Sequence, residues 1–196
     1  MKKMFLKVAS KISKFLGKIH SPGSRKKIKS LDYRDCKLVM KKGMVFVTLT
    51  RGEFANLFIP GFFSHAAEVA DMNTVVEAVT HGVQTNDLID FLLTKDYAVL
   101  LRPKFLTEEQ MEKSADWALL QKGKGYDYEF SSDTEQFYCS ELIFSSYKNN
   151  TENFPLTLKN RLSQLTYVPH DFWEDSDNFE IVWMSNSMKE EIKNNL

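Results

Sequence analysis

Two short runs, SHAAEVA (64–70) and TVVEAVT (74–80), are separated only by Asp71-Met72-Asn73. A connection this short joins neighbouring strands in one way, as an antiparallel hairpin, because a parallel pair needs a crossover of a dozen residues or more. If the turn centres on Met72, paired positions sum to about 144, so Ala67 lies opposite Glu77 and His65 is a diagonal neighbour of Glu77 on the same face. Around this hairpin, MVFVTLT (44–50), YAVLLRP (97–103) and FEIVWM (179–184) read as further strands. DLIDFLL (87–93) reads as a short helix, Thr107 opens a helix running to about Lys122, Cys139–Tyr147 reads as helical, and 157–165 reads as a polar helix. Strands and helices do not alternate strictly, which predicts an α+β fold with antiparallel strands.

With 196 residues, 43% of them hydrophobic and 13% aromatic, the chain can build one full core and is not disordered by composition. Its net charge of zero conceals an asymmetry. Residues 1–31 hold ten basic residues and no acidic one, which leaves 16 of the 26 basic residues against all 26 acidic ones. An acidic body argues against nucleic acid as a partner, since phosphate contacts need clustered Lys and Arg. In the basic segment Phe5, Val8, Ile12, Phe15, Leu16 and Ile19 share one helical face, and Lys3, Lys7, Lys11, Lys14 and Lys18 share the other. The lysines interrupt any apolar run, so the segment reads neither as a secretory signal nor as a membrane span. It is a basic amphipathic helix, suited to peripheral membrane contact through residues 1–20 or to an ordinary docked role. The expectation is a cytoplasmic or peripheral membrane location. SPGSRKKIKS (21–30) reads as a linker, dividing the chain into an arm (1–30) and a globular domain (31–196).

The two cysteines, Cys36 and Cys139, are too few for a disulfide framework and lack metal-site spacing, so neither a metal nor another cofactor is expected. Cys36 reads as structural. Cys139 opens the helix CSELIFSSYK (139–148), where unpaired N–H groups and the helix dipole favour a thiolate. A thiol there becomes useful with a histidine distant in sequence and close in space. Of His20, His65, His81 and His170, placement favours His65 at the start of a core strand, with Glu77 able to orient its ring. Glu68 falls on the other face of that strand. From the residues alone, Cys139 also reads as a buried packing residue, His65 as a strand-end histidine and Glu77 as an exposed cross-strand charge.

The ordered set NLFIPGFFSHAAEV (56–69), TVVEAV (74–79), GYDYEF (125–130) and FYCSELIFSSY (137–147) resembles the permuted papain-like amidases of the YiiX and YaeF type. These form the circularly permuted branch of the NlpC-type cell-wall peptidase superfamily. The resemblance covers roughly residues 38–183 and implies a permuted papain-like fold, an antiparallel sheet or small barrel packed against helices. It implies a cysteine hydrolase acting through an acyl-thioester on a small peptide, a cell-wall-type amide or a lipid-linked substrate. Cys139 matches the nucleophile of its YCSEL motif, His65 the general base of its G-x-x-S-H motif, and Glu77 the polar residue on the following strand. Tyr126, 13 positions before Cys139, resembles a tyrosine whose hydroxyl helps hold the oxyanion. The alternatives are lipid acyl transfer of the lecithin:retinol acyltransferase-like type, whose asparagine–cysteine–glutamate motif is absent here, and a noncatalytic binding domain of the same fold.

Overall fold

The computed structural model describes residues 27–53, 56, 59–130, 135–161 and 164–195. The expected amphipathic helix, His20 and the first part of the expected linker lie outside them. The described elements are α1 (Ser30–Lys37), β1 (Val45–Leu49), β2 (His65–Val69), β3 (Thr74–Val79), β4 (Gly82–Asp87), α2 (Leu88–Leu93), β5 (Tyr97–Pro103), α3 (Glu108–Leu120), α4 (Cys139–Lys148), β6 (Lys159–Arg161), β7 (Gln164–Thr166), α5 (Pro169–Glu174), β8 (Phe179–Met184) and α6 (Asn186–Asn195). Packing onto the body has begun by Ile28, which is 3% exposed.

Six strands form one antiparallel sheet in the order β4-β3-β2-β1-β5-β8. On one face Val45, Val47, Ala66, Val99 and Leu101 pack with Met111 of α3 and Ile143, Phe144 and Tyr147 of α4. On the other, Phe46, Ala67, Val69, Ala98 and Leu100 pack with Cys36 of α1 and with Leu88, Phe91 and Leu92 of α2. Both faces are covered, which is why every residue of β1 is buried although its sequence, VFVTL, does not alternate. Truncating Phe46, fully buried against Phe91 and Trp183, would cost about 3–5 kcal/mol.

The hairpin has the register expected from its turn: Glu68 pairs with Val76 and Val69 with Val75. The short helix has Asp87 as its N-cap, accepting from the Ile89 N–H, and Thr107 caps α3 by accepting from the Gln110 N–H. The polar helix expected over 157–165 is corrected. Those residues enter a two-stranded hairpin, β6 and β7, with Arg161 opposite Gln164. Leu158, Leu162 and Leu165 have helical spacing, but Leu158 and Leu165 are exposed, so the spacing marks no buried face. His170 lies in the first turn of α5 behind Pro169, which has the backbone preset for a helix start.

Gly61 prepares the approach to β2. It has φ +95°, and a side chain there would meet the ring of His170 at 2.4 Å, so only glycine fits both the backbone and the space.

Candidate active site

The β2–β3 ladder pairs at Val69 and Glu68 and does not continue toward His65. The start of α4 occupies the resulting gap. The Ala66 N–H, instead of continuing the ladder, is directed at the sulfur of Cys139, as is the N–H of Ser140. Cys139 is the first residue of α4, with Tyr138 as an extended N-cap (φ −87°, ψ 166°). Glu141 reaches back to accept from the Tyr138 N–H at 3.3 Å, which gives this carboxylate the first-turn structural role that its position suggests. Leu142, Ile143 and Tyr147 seat the helix in the core, and Ser140 Oγ donates to the carbonyl of Tyr167 at 2.6 Å.

His65 lies between two partners. Its Nε2 is 2.7 Å from Oε2 of Glu77, which leaves Nδ1 as the ring nitrogen available to Cys139, the other group that acts on the imidazole. Phe91 flanks the imidazole at 6.2 Å between ring centroids. Burial alone would lower the His65 pKa, but the hydrogen bonds to Cys139 and Glu77, together with their negative charge, raise it to about 9. Burial would raise Glu77, yet the hydrogen bond and charge of His65 bring it down to about 2. At Cys139 burial opposes the thiolate, and the hydrogen bond and charge of His65, with the two backbone N–H groups, outweigh it and lower the thiol pKa. The three groups thus favour a thiolate, an imidazolium and a carboxylate in a row. The Glu77 side chain keeps only 4% of its surface exposed and His65 17%, so solvent screens their interaction weakly.

Tyr126 arrives from the loop before α4. The Phe137 N–H donates to the Gly125 carbonyl at 3.0 Å and the Asp127 N–H to the Phe137 carbonyl at 3.2 Å, which lays Tyr126 beside the chain entering the helix. Burial and the negative charge of Cys139 hold its hydroxyl well above the usual phenol range, so it stays protonated and can donate. Its ring packs edge-on against Tyr128 at 4.8 Å.

The structure therefore brings Cys139, His65, Glu77 and Tyr126 into one neighbourhood. His81 contacts Thr80 at 3.3 Å and is exposed, and His170 reaches Glu174 at 3.5 Å. Two supporting residues were not expected from sequence: Gln84, opposite Glu77 on β4 and hydrogen-bonded to it, and Asn86, whose Nδ2 is 3.4 Å from Glu77 Oε1. Reading GVQTND (82–87) as a third strand beside the hairpin, which its sequence does not suggest, would have found them. Among the described residues no group of three or more His, Cys, Asp or Glu side chains could hold a metal ion, and no helix is long and apolar enough to cross a membrane.

Residues 39–191 match the family described as "Permuted papain-like amidase enzyme, YaeF/YiiX, C92 family". Among solved structures, the chain is similar to the crystal structure of metalloprotein yiiX from Escherichia coli O157:H7, with a TM-score of 0.60 and 22% identity, over 74% of this chain and 97% of that one. At that identity the likeness shows the fold. No curated protein matches.

Proposed function

The chain belongs to the permuted papain-like amidase family, and from that premise we propose that it is a cysteine-dependent hydrolase of amide or ester bonds, with Cys139 as nucleophile. The observation that carries this reading is the position of His65, 2.7 Å from Glu77 through Nε2 and with Cys139 beside its ring, an arrangement that favours the thiolate and raises the imidazole to about 9.

The Cys139 thiolate attacks the substrate carbonyl carbon, forming the S–C bond and moving the π electrons onto oxygen. The Cys139 N–H, an orphan donor of the first helical turn, and the Tyr126 hydroxyl, kept protonated, receive that oxyanion. The imidazolium of His65 gives its proton to the leaving amine or alkoxide as the C–N or C–O bond breaks, leaving an acyl-thioester. Water then attacks with His65 taking its proton, the carboxylic acid leaves, and the thiolate–imidazolium pair is restored. Glu77 holds the ring through Nε2 and stabilises its charged form.

The substrates in view are a small peptide, a cell-wall-type amide or a lipid-linked acyl group. Residues 1–20, with their basic and apolar faces, would bring the last of these to the site at a membrane surface. The similar structure is described as a metalloprotein; in this chain His65 commits one nitrogen to Glu77, and among the described residues no group of three or more His, Cys, Asp or Glu side chains could hold a metal ion.

The test is labelling with a library of acyl electrophiles followed by mass mapping of the adduct. The expected adduct is on Cys139, lost with turnover in Cys139→Ala while the fold is kept. Turnover undiminished in Cys139→Ala would end this reading. Release of the acyl group to water or to an added alcohol distinguishes hydrolysis from acyl transfer.

A further inference from the structure

Strand β2 carries polar groups on both faces. His65 turns toward Glu77, and Glu68 turns to the face covered by α3 and α4, where it is 0% exposed. Glu68 Oε2 accepts from Ser146 Oγ of α4 at 2.7 Å, and Oε1 from Ser114 Oγ of α3 at 2.7 Å. The step from His65 to Glu68 covers about 10 Å along a strand, and the step from Cys139 to Ser146 covers about 10 Å along a helix. Strand and helix are therefore joined at two matching heights, His65 with Cys139 and Glu68 with Ser146.

The hydrogens around Glu68 can be counted. Ser114 Oγ is also 2.7 Å from the Met111 carbonyl, and Ser146 Oγ is 2.8 Å from the Ile143 carbonyl. Each hydroxyl has one hydrogen, so an ionised Glu68 leaves two hydrogens to serve four short contacts, and a carboxyl proton supplies a third. Burial acts in the same direction and raises the Glu68 pKa to about 8, against the serines and the charge of Lys42. Two titratable groups face the carboxyl. Lys42, ahead of β1, is paired with Asp116 of α3. Tyr147 of α4 donates to the Gly43 carbonyl at 2.9 Å and is kept protonated by burial.

We propose that Glu68 is a positioning residue: as a neutral carboxyl joining β2 to α4 and α3, it sets the height of His65 against Cys139 and so maintains the thiolate–imidazolium contact. The inference rests on Cys139 and His65 being the reacting pair.

The test is the rate of Cys139 alkylation by iodoacetamide in the full chain from pH 4 to 9, mapped by mass, for the wild type, Glu68→Leu, Glu68→Gln and Ser146→Ala, with unfolding curves for each. Glu68→Leu keeps the volume and removes both links. Its reactivity midpoint is expected to move to higher pH, so that at pH 6 Cys139 reacts about tenfold more slowly than in the wild type. Ser146→Ala is expected to move the midpoint in the same direction by less. Glu68→Gln, with one donor and one acceptor for the two serines, is expected to restore the wild-type midpoint. A merely structural role would change the unfolding curves without moving the midpoint. Midpoints unchanged in folded Glu68→Leu and Ser146→Ala overturn the inference. If Glu68→Leu does not fold, an unchanged midpoint in Ser146→Ala has the same force. A wild-type Cys139 that titrates like an ordinary thiol would instead sink the reading on which the inference rests.

Discussion

The chain has two cysteines, at the two kinds of helix end. Cys36 lies in the last turn of α1 and Cys139 in the first turn of α4, and they are 0% and 3% exposed. Burial is thus nearly equal, and the electrostatics are opposed. At Cys36 burial, with Asp32 four residues earlier on the same helix, raises the thiol pKa to about 12, and the negative end of the dipole adds to this. At Cys139 burial is outweighed by His65 and by backbone N–H groups of Ala66 and Ser140, and the thiol pKa goes down. A buried cysteine is therefore not inert or reactive by virtue of burial; its helix end and its neighbour decide.

The comparison can be broken most sharply by removing each thiol in turn. Cys139→Ala is expected to lower hydrolysis of an acyl substrate by at least about a thousandfold, while Cys36→Ala stays within about twofold. Comparable losses in the two variants would erase the distinction. His65→Ala removes the partner that sets Cys139 apart. It is expected to cost about 10²–10⁴ in turnover, and the pH dependence of Cys139 alkylation should approach that of a free thiol. Glu77→Gln keeps the ring in place and removes the charge beyond it. The loss is expected to be about ten- to a hundredfold, in keeping with a hydrogen bond to a charged group worth about 1.5–3 kcal/mol. Because Glu77 helps raise His65 to about 9, the alkaline limb of the rate profile, near 9 in the wild type, should move to lower pH in this variant.

Stability carries the same information with smaller amplitude. Glu77 falls from its ordinary 4.5 to about 2 on folding, so its contribution is complete above 4.5 and is lost as pH falls toward 2. His65 rises from 6.5 to about 9, so its contribution is complete below 6.5 and is lost as pH rises through 9. Thermal unfolding of Glu77→Gln should show a weaker loss between pH 4.5 and 2 than the wild type. Smallest in consequence for activity, Cys36→Ser places a hydroxyl in an apolar pocket and is expected to cost about 1–3 kcal/mol in chemical denaturation with turnover retained.

The parts of this picture that sequence disclosed are those governed by short-range rules. The turn at Met72 sets the register of β2 on β3, and with it the diagonal placing of His65 and Glu77. The helix that Cys139 opens in the sequence is α4. Elements stabilised by tertiary contacts were not legible. α1 has a weakly apolar sequence and is seated by Asp32, which accepts from the Asn186 N–H at 2.7 Å, 154 residues away. β4 turns Gln84 and Asn86 toward Glu77, so its sequence lacks the apolar face that identifies a strand. The stretch 157–165 reads as a polar helix, whereas Arg161 ties the hairpin down through Asp171 at 2.6 Å.

The contrast between the two thiols is tested most directly by alkylating the folded wild-type chain with iodoacetamide across pH and following both cysteines by mass. Cys139 is expected to react well below pH 7 while Cys36 stays unmodified until the chain unfolds. A Cys139 that reacts only above about pH 8.5, or a Cys36 that reacts first, would contradict it.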